Sequence, residues 1–200
     1  MKKKLSAVLL AAGTSSRMGK ANKLLLPLKG KPILCHCVEA LQDSKVEEII
    51  VVTGHEEALV RSVLEDYNAN ITIVHNSNFK EGMTSSIQRG IATCSKATQG
   101  FMICLGDMPF LRTSDYNRLL AAFKKENQII APYFGQRRGN PILFGAHYKT
   151  ALLNHTQSNG CKAILKIQSK QIVPVPFDQE QLFQDIDFPN DYHYYNSIPA

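Results

Sequence analysis

Short apolar runs alternate with longer segments of helical periodicity along this chain, and that alternation constrains its fold more than any other feature. Each run is short enough for a buried strand, and glycine, proline or polar residues follow most of them. Strands that alternate with helices form βαβ units. The pattern predicts an α/β fold with a mostly parallel sheet, whose strands lie at residues 5–11, 49–52, 71–74, 101–105, 129–132, 141–144 and 171–175.

The segments between these runs predict helices. One helix is expected to begin near Pro32, because proline is favoured at the first helical position. The hydroxyl residues before Ile87 predict a helix N-terminus capped by threonine or serine. The run 101–105 is the most continuous and predicts a central strand covered on both faces. Further helices are predicted around residues 58–63, 119–123, 148–153 and 163–167.

The length and composition of the chain indicate one globular domain, residues 1–200. Of its 200 residues, 44% are hydrophobic and 20% are charged, so it can bury a substantial core without disulfides or metals. The sequence contains no internal repeat, low-complexity segment or interdomain linker. We therefore expect no division into two domains.

The charge of the chain bounds its partners. The formal net charge is +6, and Lys2, Lys3 and Lys4 contribute half of it. No basic stripe with interleaved aromatic residues is present, so nucleic acid is not an expected partner. Residues 5–12 imitate a secretion signal but are short for one, and a strand is needed there to anchor the loop that follows. No run reaches the ~18 apolar residues of a membrane span, so we expect a cytoplasmic protein with no membrane partner.

The cysteines predict reduced thiols in the core. There are five, an odd number, and several lie inside apolar runs. Cys35 and Cys37 resemble half of a metal site, but they open a helical segment, where residues two apart point to different faces. No second ligand pair follows. We expect no metal at these cysteines.

The first predicted strand leads directly into a loop bounded by Gly13 and Gly19. Glycines permit positive φ angles and close approach of a ligand to backbone amides, which can turn inward and bind an anion. Arg17 and Lys23 add full positive charges. The spacing between the glycines excludes a Walker A loop, and the G-x-G-x-x-G pattern is absent. The segment predicts a site for a nucleoside triphosphate.

Some polar residues allow two interpretations. Lys20 is as consistent with a surface charge as with phosphate binding. Ser15 and Ser16 can donate to phosphate or form only a local turn. The segment 137–141, which contains two arginines, predicts either a basic clamp near the substrate or a simple hairpin connection.

Four polar or glycine-containing segments follow predicted strands. They are Gly13, residues 53–54, residues 75–76 and Asp107. Ligands of open α/β sheets bind outside the carboxyl ends of the strands. We therefore expect these segments to share one rim of the sheet.

Asp107 follows the most apolar strand and is a candidate ligand for Mg²⁺. This ion prefers one or two protein carboxylates together with substrate phosphates. Asp185 and Asp187 are candidates for a second carboxylate. Two alternatives stay open: Asp107 can serve as a turn residue, and Asp187 can cap a helix before Pro189.

Several groups of residues recur in the order typical of one enzyme family. They are Leu10-Ala11-Ala12-Gly13, Arg17-Met18-Gly19, Lys23-Leu24-Leu25, Gly82-Met83-Thr84-Ser85-Ser86, Gly106-Asp107-Met108-Pro109, Gly139-Asn140-Pro141 and Asp185-Ile186-Asp187-Phe188-Pro189-Asn190-Asp191-Tyr192. Together they resemble the molybdenum cofactor cytidylyltransferases, a branch of the NTP transferase superfamily. The opening motif is shared by many nucleotide transferases, whereas the combination is more specific and covers nearly the whole chain.

The resemblance implies a three-layer α/β/α sandwich with a Rossmann-like sheet. It also implies transfer of a nucleoside monophosphate from a triphosphate to a phosphorylated acceptor, with release of pyrophosphate and Mg²⁺ as cofactor. The acceptor would be molybdopterin carrying its metal, and a molybdoenzyme would be a candidate partner. Ala12 stands where the guanylyl branch carries glycine, which points to CTP.

The same resemblance implies roles for particular residues. Arg17, Lys23 and Asp107 would be catalytic, and Asp107 with Asp187 would bind Mg²⁺. The nucleotide-binding residues would be Leu10, Ala11, Ala12, Gly13, Ser15, Ser16, Arg17, Lys23, Thr53, Gly82, Ser86 and Asp107.

One departure from the family pattern concerns the acceptor end. Relatives often show Gly-Asp-x-Gly-Ala-Arg before the last strand, whereas this chain reads Ser158-Asn159-Gly160-Cys161-Lys162-Ala163. The substrate can therefore differ, or the loop can be used differently. Three alternatives stay open: a related transferase acting on another phosphorylated acceptor such as a sugar or methylerythritol phosphate, a non-catalytic chaperone for molybdopterin, and a glycosyltransferase whose metal is held by Asp185 and Asp187.

Overall fold

The structure, a computed structural model, describes residues 3–19, 21–65 and 71–198. The strands are β1 (Leu5–Ala11), β2 (Pro27–Leu28), β3 (Lys31–Pro32), β4 (Glu48–Thr53), β5 (Ile71–His75), β6 (Gly100–Leu105), β7 (Ile129–Phe134), β8 (Arg137–Arg138), β9 (Ile142–Gly145) and β10 (Ile172–Pro176). The helices are α1 (Ile33–Gln42), α2 (Glu57–Glu65), α3 (Met83–Thr93), α4 (Thr113–Ala122), α5 (Lys149–Leu153), α6 (Lys162–Ile167) and α7 (Pro189–Ser197).

The central sheet has the strand order β10-β7-β9-β6-β1-β4-β5, with β8 paired to β7. Strand β1 lies between β6 and β4 and is parallel to both. Strand β9 is antiparallel to β6 and to β7. The prediction of a mostly parallel sheet with 101–105 at its centre is confirmed, whereas the reversed direction of β9 left no mark in the sequence.

The core lies on both faces of this sheet. Alternate residues of β6 enter different clusters: Met102 and Cys104 pack with side chains of α1, α2 and α4, whereas Phe101 and Ile103 pack with side chains of α3, α5 and α6. Strand residues alternate between faces, so one continuous apolar run supplies both layers. This arrangement is the predicted three-layer α/β/α sandwich.

Two helices differ in detail from the sequence prediction. Helix α2 buries Val60 and Leu64, four residues apart, and leaves Leu59 54% exposed. The apolar residues of 58–63 are compatible with two neighbouring faces, and only contact with the sheet selects one. Helix α1 begins just after Pro32, which occupies the N-cap position rather than the first helical one.

The N-cap of α3 is Gly82, so the prediction of a threonine or serine cap was wrong. Gly82 has a φ of 112°, and a Cβ there would lie 2.6 Å from the carbonyl oxygen of Ser158. Only glycine combines that backbone angle with so close a neighbour. The hydroxyls of Thr84, Ser85 and Ser86, which suggested a cap, instead form hydrogen bonds with segments outside the helix.

Four of the five cysteines are buried, Cys161 is partly buried, and all are free thiols, as predicted. None of the helices in the described part of the chain combines the length and apolarity that a bilayer span requires.

Candidate active site

The carboxyl ends of β1, β4, β5 and β6 meet at one edge of the sheet. Backbone hydrogen bonds join the loops that follow them: Gly106 N–H donates to Leu10 O (3.0 Å), and Asn76 N–H donates to Thr53 O (2.8 Å). His55 N–H donates to the carbonyl of Ala12, which ties the loop after β4 to the start of the glycine loop. The four segments therefore share one rim, as the strand pattern predicted.

The glycine loop leaves β1 in an irregular but well-bonded conformation. Ser15 adopts a left-handed conformation, and Gly19 has a φ of 71°. Ser15 Oγ accepts a hydrogen bond from Lys23 N–H (3.1 Å), and Asn22 Oδ1 accepts one from Leu24 N–H (3.1 Å). These bonds hold both ends of the loop, so the lysine is aimed back toward the rim.

Gly13 differs from Gly19 in what it contributes. Its φ is not positive, so the expected left-handed conformation occurs at Gly19 but not here. A Cβ at Gly13 would meet nothing within 4 Å. Because Gly13 has no side chain, the space above its backbone is open, and a ligand can approach the backbone closely there. Lys20 lies outside the described residues.

A cavity of about 180 Å³ lies beside this loop. It unites residues that are up to 174 positions apart in the sequence, and every one of them is a predicted site residue. They are Gly13, Ser15, Ser16, Arg17, Lys23, Asp107 and Asp187.

Lys23 lies between two carboxylates of this cavity. Its Nζ is 2.5 Å from Asp107 Oδ2 and 2.6 Å from Asp187 Oδ1. Burial acts to lower the pKa of Lys23, but the charges and hydrogen bonds of the two aspartates outweigh it, and the net effect raises the pKa. Lys23 is therefore fully charged at neutral pH.

Arg17 is the second cation of the cavity and pairs with Asp187. The guanidinium also lies over the ring of Phe188, 5.5 Å from its centroid. Burial acts to raise the pKa of Asp187, but its hydrogen bonds and charge interactions with Lys23 and Arg17 lower the pKa overall. The carboxylate is therefore ionised even in mildly acidic solution.

The carboxylates of Asp107, Asp185 and Asp187 form a cluster in which one oxygen from each lies within 4.8 Å of the others. Asp107 Oδ1 is buried and has no hydrogen-bond partner in the described part of the chain. Loss of hydration, and then the charges of the other two aspartates, raise the pKa of Asp185. Three hard oxygen ligands, one of them unpartnered, fit a divalent cation such as Mg²⁺ or Mn²⁺.

The C-terminal segment carries Asp187 to this cluster. Ile186 is fully buried, and its N–H donates to Asp107 O (3.1 Å). Asp191 accepts hydrogen bonds from the N–H groups of Asp187 (3.2 Å) and Phe188 (2.8 Å). The capping carboxylate of α7 is therefore Asp191, and Asp187 itself points to the cations. The sequence suggests a helix at Pro189 only through the alternative interpretation of Asp187 as its cap, because the tyrosine-rich segment that follows has no apolar stripe.

Several predicted nucleotide-binding residues do not line the cavity. The side chain of Thr53 is fully buried. Ser86 is also buried, and its Oγ accepts a hydrogen bond from Asn76 (2.9 Å). Gly82 packs against Ser158 instead. Of the three residues before Gly13, Ala11 and Ala12 are buried and Leu10 is partly buried at the end of β1.

The arginine segment forms a hairpin strand and also borders a second cavity. Strand β8 pairs with β7, and Arg137 contacts Glu180 on the outer side. Arg138 lines a cavity of about 450 Å³. The hairpin connection is therefore present, and a clamp near the substrate stays a prediction that only Arg138, of the two arginines, could serve from this cavity.

Comparison with known proteins places the chain among the nucleotide transferases. Residues 7–174 match the family model described as MobA-like NTP transferase domain. The nicotine blue oxidoreductase of Paenarthrobacter nicotinovorans is 27% identical over 192 residues, which are 92% of each chain.

Two further relatives match over a shorter region. The bifunctional protein GlmU of Alkaliphilus metalliredigens is 31% identical over 71% of this chain, which spans only 30% of the length of GlmU. The 2-C-methyl-D-erythritol 4-phosphate cytidylyltransferase of Dehalococcoides mccartyi is 31% identical over 47% of this chain and 43% of its own length.

Solved structures confirm the fold. A nucleotidyl transferase from Methanothermobacter superimposes with a TM-score of 0.85 at 22% identity, covering 98% of this chain and 97% of its own. The Rv0371C protein of Mycobacterium tuberculosis in complex with manganese gives a TM-score of 0.77 at 19% identity, covering 98% and 100%.

Proposed function

The chain belongs to the MobA-like NTP transferase domain family, and from that premise we propose that it transfers a nucleoside monophosphate from CTP to a phosphorylated acceptor and releases pyrophosphate. One observation carries the proposal: Gly13, two cations and the carboxylates of Asp107 and Asp187 line a single cavity at the carboxyl ends of the strands. Such a site matches a triphosphate and its metal in both charge and backbone access.

We propose that Asp107 and Asp187, with Asp185 beside them, hold Mg²⁺. The unpartnered buried oxygen of Asp107 supports this assignment, and the manganese complex of Rv0371C supports it for a protein of the same fold. A divalent cation bound there would neutralise charge on the oxygens of the triphosphate. Phosphate oxygens are acceptors equivalent to carboxylates, so Lys23 and Arg17 can exchange their contacts with the aspartates for contacts with the triphosphate.

The preference for CTP rests on Ala12. The position is 5% exposed, and a Cβ built on neighbouring Gly54 would lie 2.8 Å from the Ala12 methyl group. The methyl group packs beside the loop after β4, and the choice of CTP follows from the family resemblance, in which alanine at this position goes with the cytidylyl branch. The cytidylyltransferase among the relatives supports the same choice.

In this reaction the protein positions the triphosphate and the acceptor and neutralises the charge on their phosphates. An oxygen of the acceptor phosphate attacks the α-phosphorus in line with the departing pyrophosphate, so one P–O bond forms as the other breaks. The acceptor phosphate is already anionic and needs no general base. Arg17, Lys23 and the loop amides hold the triphosphate oxygens, and preorganised donors of this kind stabilise charge in the transition state.

We propose molybdopterin as the acceptor, and a molybdoenzyme as the protein that receives the product. Another phosphorylated acceptor, such as methylerythritol phosphate, is the second candidate, because the loop 158–163 departs from the family pattern and one relative acts on that class of compound. The single-domain organisation and the cytoplasmic location stay predictions of the sequence.

The proposal is tested by incubating the protein with Mg²⁺ and each of the four ribonucleoside triphosphates, with and without molybdopterin, while pyrophosphate is measured. We expect release only when CTP and the acceptor are both present. Release with methylerythritol phosphate instead identifies the second candidate. Binding of pterin without pyrophosphate identifies a chaperone and contradicts the transferase proposal.

A further inference from the structure

The second cavity begins immediately beside the proposed nucleotide site. Leu105, at the end of β6, lies in its wall and is two residues from Asp107. Its volume of about 450 Å³ is within the range of small-molecule sites, about 300–1,000 Å³. Ile103, Ile142 and Leu165 line it with apolar surface.

Two cations border this apolar surface without a partner. In the part of the chain that the structure describes, the side chains of Arg138 and Lys162 make no hydrogen bond or ion pair, and both are exposed residues that line the cavity. Arg137, one residue away, is held by Glu180 and by the carbonyl of Phe183. The unpaired cations favour an anionic ligand, and the amide of Asn140 adds a neutral polar contact.

The loop that departs from the family pattern forms one wall of the cavity. Ser158, Asn159, Cys161 and Lys162 all line it. Burial raises the pKa of the Cys161 thiol to about 12, so that the group is neutral at physiological pH and adds soft, weakly polar surface. This wall offers a positive charge and no carboxylate.

Thr84 holds that wall in place. Its buried hydroxyl donates to Gln157 O and accepts from Gly160 N–H (3.0 Å). The first turn of α3 is thereby joined to a loop more than 70 residues away. Removal of the hydroxyl leaves the buried N–H of Gly160 unpaired and breaks the bond to Gln157, so the loop is expected to shift.

We propose that Arg138 and Lys162 are specificity-determining residues of an acceptor site in the second cavity, and that Thr84 is a positioning residue which keeps the wall in shape. The ligand class is a phosphate monoester with an apolar body. Hydroxyl-rich phosphates are disfavoured on the side formed by Ile103, Ile142 and Leu165, because hydroxyls buried against that surface find no hydrogen bond there. This inference rests on the proposed transferase function.

The experiment compares two dianions that differ in their bodies, 1-naphthyl phosphate and glucose 1-phosphate, bound to the full chain without nucleotide. We expect the naphthyl compound to bind at least about tenfold more tightly. Arg138→Ala and Lys162→Ala should each weaken its binding about tenfold. The matched controls Arg137→Ala and Lys166→Ala remove the same charge outside the cavity and should change the dissociation constant less than twofold.

The role of Thr84 is tested by Thr84→Val, which keeps the shape of the side chain and removes the hydroxyl. We expect weaker binding of 1-naphthyl phosphate with unchanged binding of CTP, and recovery in Thr84→Ser. Loss of both affinities together with a lower melting temperature would assign a merely structural role to the hydroxyl.

The location of the probe is read from Cys161, the one partly exposed thiol among five. Bound 1-naphthyl phosphate should slow its reaction with dithiodipyridine, and Cys161→Ser should abolish that reaction. Equal affinity for the two phosphates, or equal losses in Arg137→Ala and Arg138→Ala, overturns the inference. If only the transferase proposal is wrong, no pyrophosphate is released in the assay described above, while 1-naphthyl phosphate still binds as expected here.

Discussion

Gly13 and Gly90 show that one residue type can serve two different purposes. A Cβ at Gly90 would lie 2.2 Å from Val8 Cγ1, so this glycine lets α3 pack closely on the sheet. A Cβ at Gly13 would meet nothing within 4 Å. The protein itself therefore does not need a glycine at position 13, and the open space is available to a ligand.

Gly13→Ala is expected to change the free energy of unfolding by no more than about 0.5 kcal/mol. The same change should weaken CTP binding at least about tenfold, because the new methyl group enters the space that the ligand occupies. Urea unfolding and calorimetric titration with CTP measure the two effects. Gly90→Ala is the matched control and should lose about 1–3 kcal/mol of stability through overpacking. Unchanged CTP affinity in Gly13→Ala would place the nucleotide elsewhere.

Asp107 is the residue whose charge the proposed chemistry uses most directly. Asp107→Asn keeps the size of the side chain and removes the charge, and we expect pyrophosphate release to fall at least about 10²-fold. Asp43→Asn, an exposed position at the end of α1, is the control and should retain activity. Near-normal turnover of a folded Asp107→Asn protein would falsify the metal assignment.

At the scale of the element, α7 matters because of where it begins. Asp191 bonds the backbone of Asp187 and Phe188, and the Tyr192 hydroxyl donates to Pro27 O (3.0 Å). The helix contains no buried residue, but Tyr192 and Tyr195 pack against the cluster of Leu28, Ile33 and Ile186. These contacts fix the helix to the hairpin β2–β3 and to the rim. A sequence search for amphipathic helices therefore misses it.

Asp191→Ala should lower the free energy of unfolding by about 1 kcal/mol, the usual loss for a helix cap. It should also weaken Mn²⁺ binding about tenfold, because Asp191 orients Asp187 and partners that orient a metal ligand contribute to affinity. Urea unfolding and Mn²⁺ titration followed by electron paramagnetic resonance are suitable measurements. Asp191→Asn keeps an acceptor oxygen and should lose less of both. Undiminished Mn²⁺ affinity in Asp191→Ala would mean that α7 does not position the carboxylate of Asp187.

At the scale of the whole molecule, the buried charges of the cavity make stability depend on pH. Lys23 has a raised pKa in the folded state, so its contribution is fully present below the ordinary value of 10.5 and is lost as the pH rises through the higher folded value. Asp187 has a lowered pKa, so its contribution is present above the ordinary value of 3.8 and is lost as the pH falls through the lower folded value.

The difference in unfolding free energy between the wild type and Lys23→Met should therefore be constant from pH 7 to 9 and should shrink only above pH 10.5. Urea unfolding at pH 7, 9 and 11 provides the measurement. Lys45→Met, at an exposed position, should show no such change. A difference that already declines below pH 9 would contradict the raised pKa.

The sequence alone predicted the seven longer strands and their common rim, because strand and helix periodicity is local and the ends of parallel strands necessarily meet at one edge. Together with the family resemblance it also indicated the layers and the lining of the first cavity, although six of the twelve predicted nucleotide-binding residues do not line that cavity. It did not determine which face α2 buries, nor that Thr53 and Ser86 turn into the core, since these depend on neighbours distant in the chain. Only the tertiary structure placed Lys23 between two aspartates and joined β8, β9 and the loop after α5 into a second cavity. Such contacts are set by packing between remote segments, and no local pattern records them.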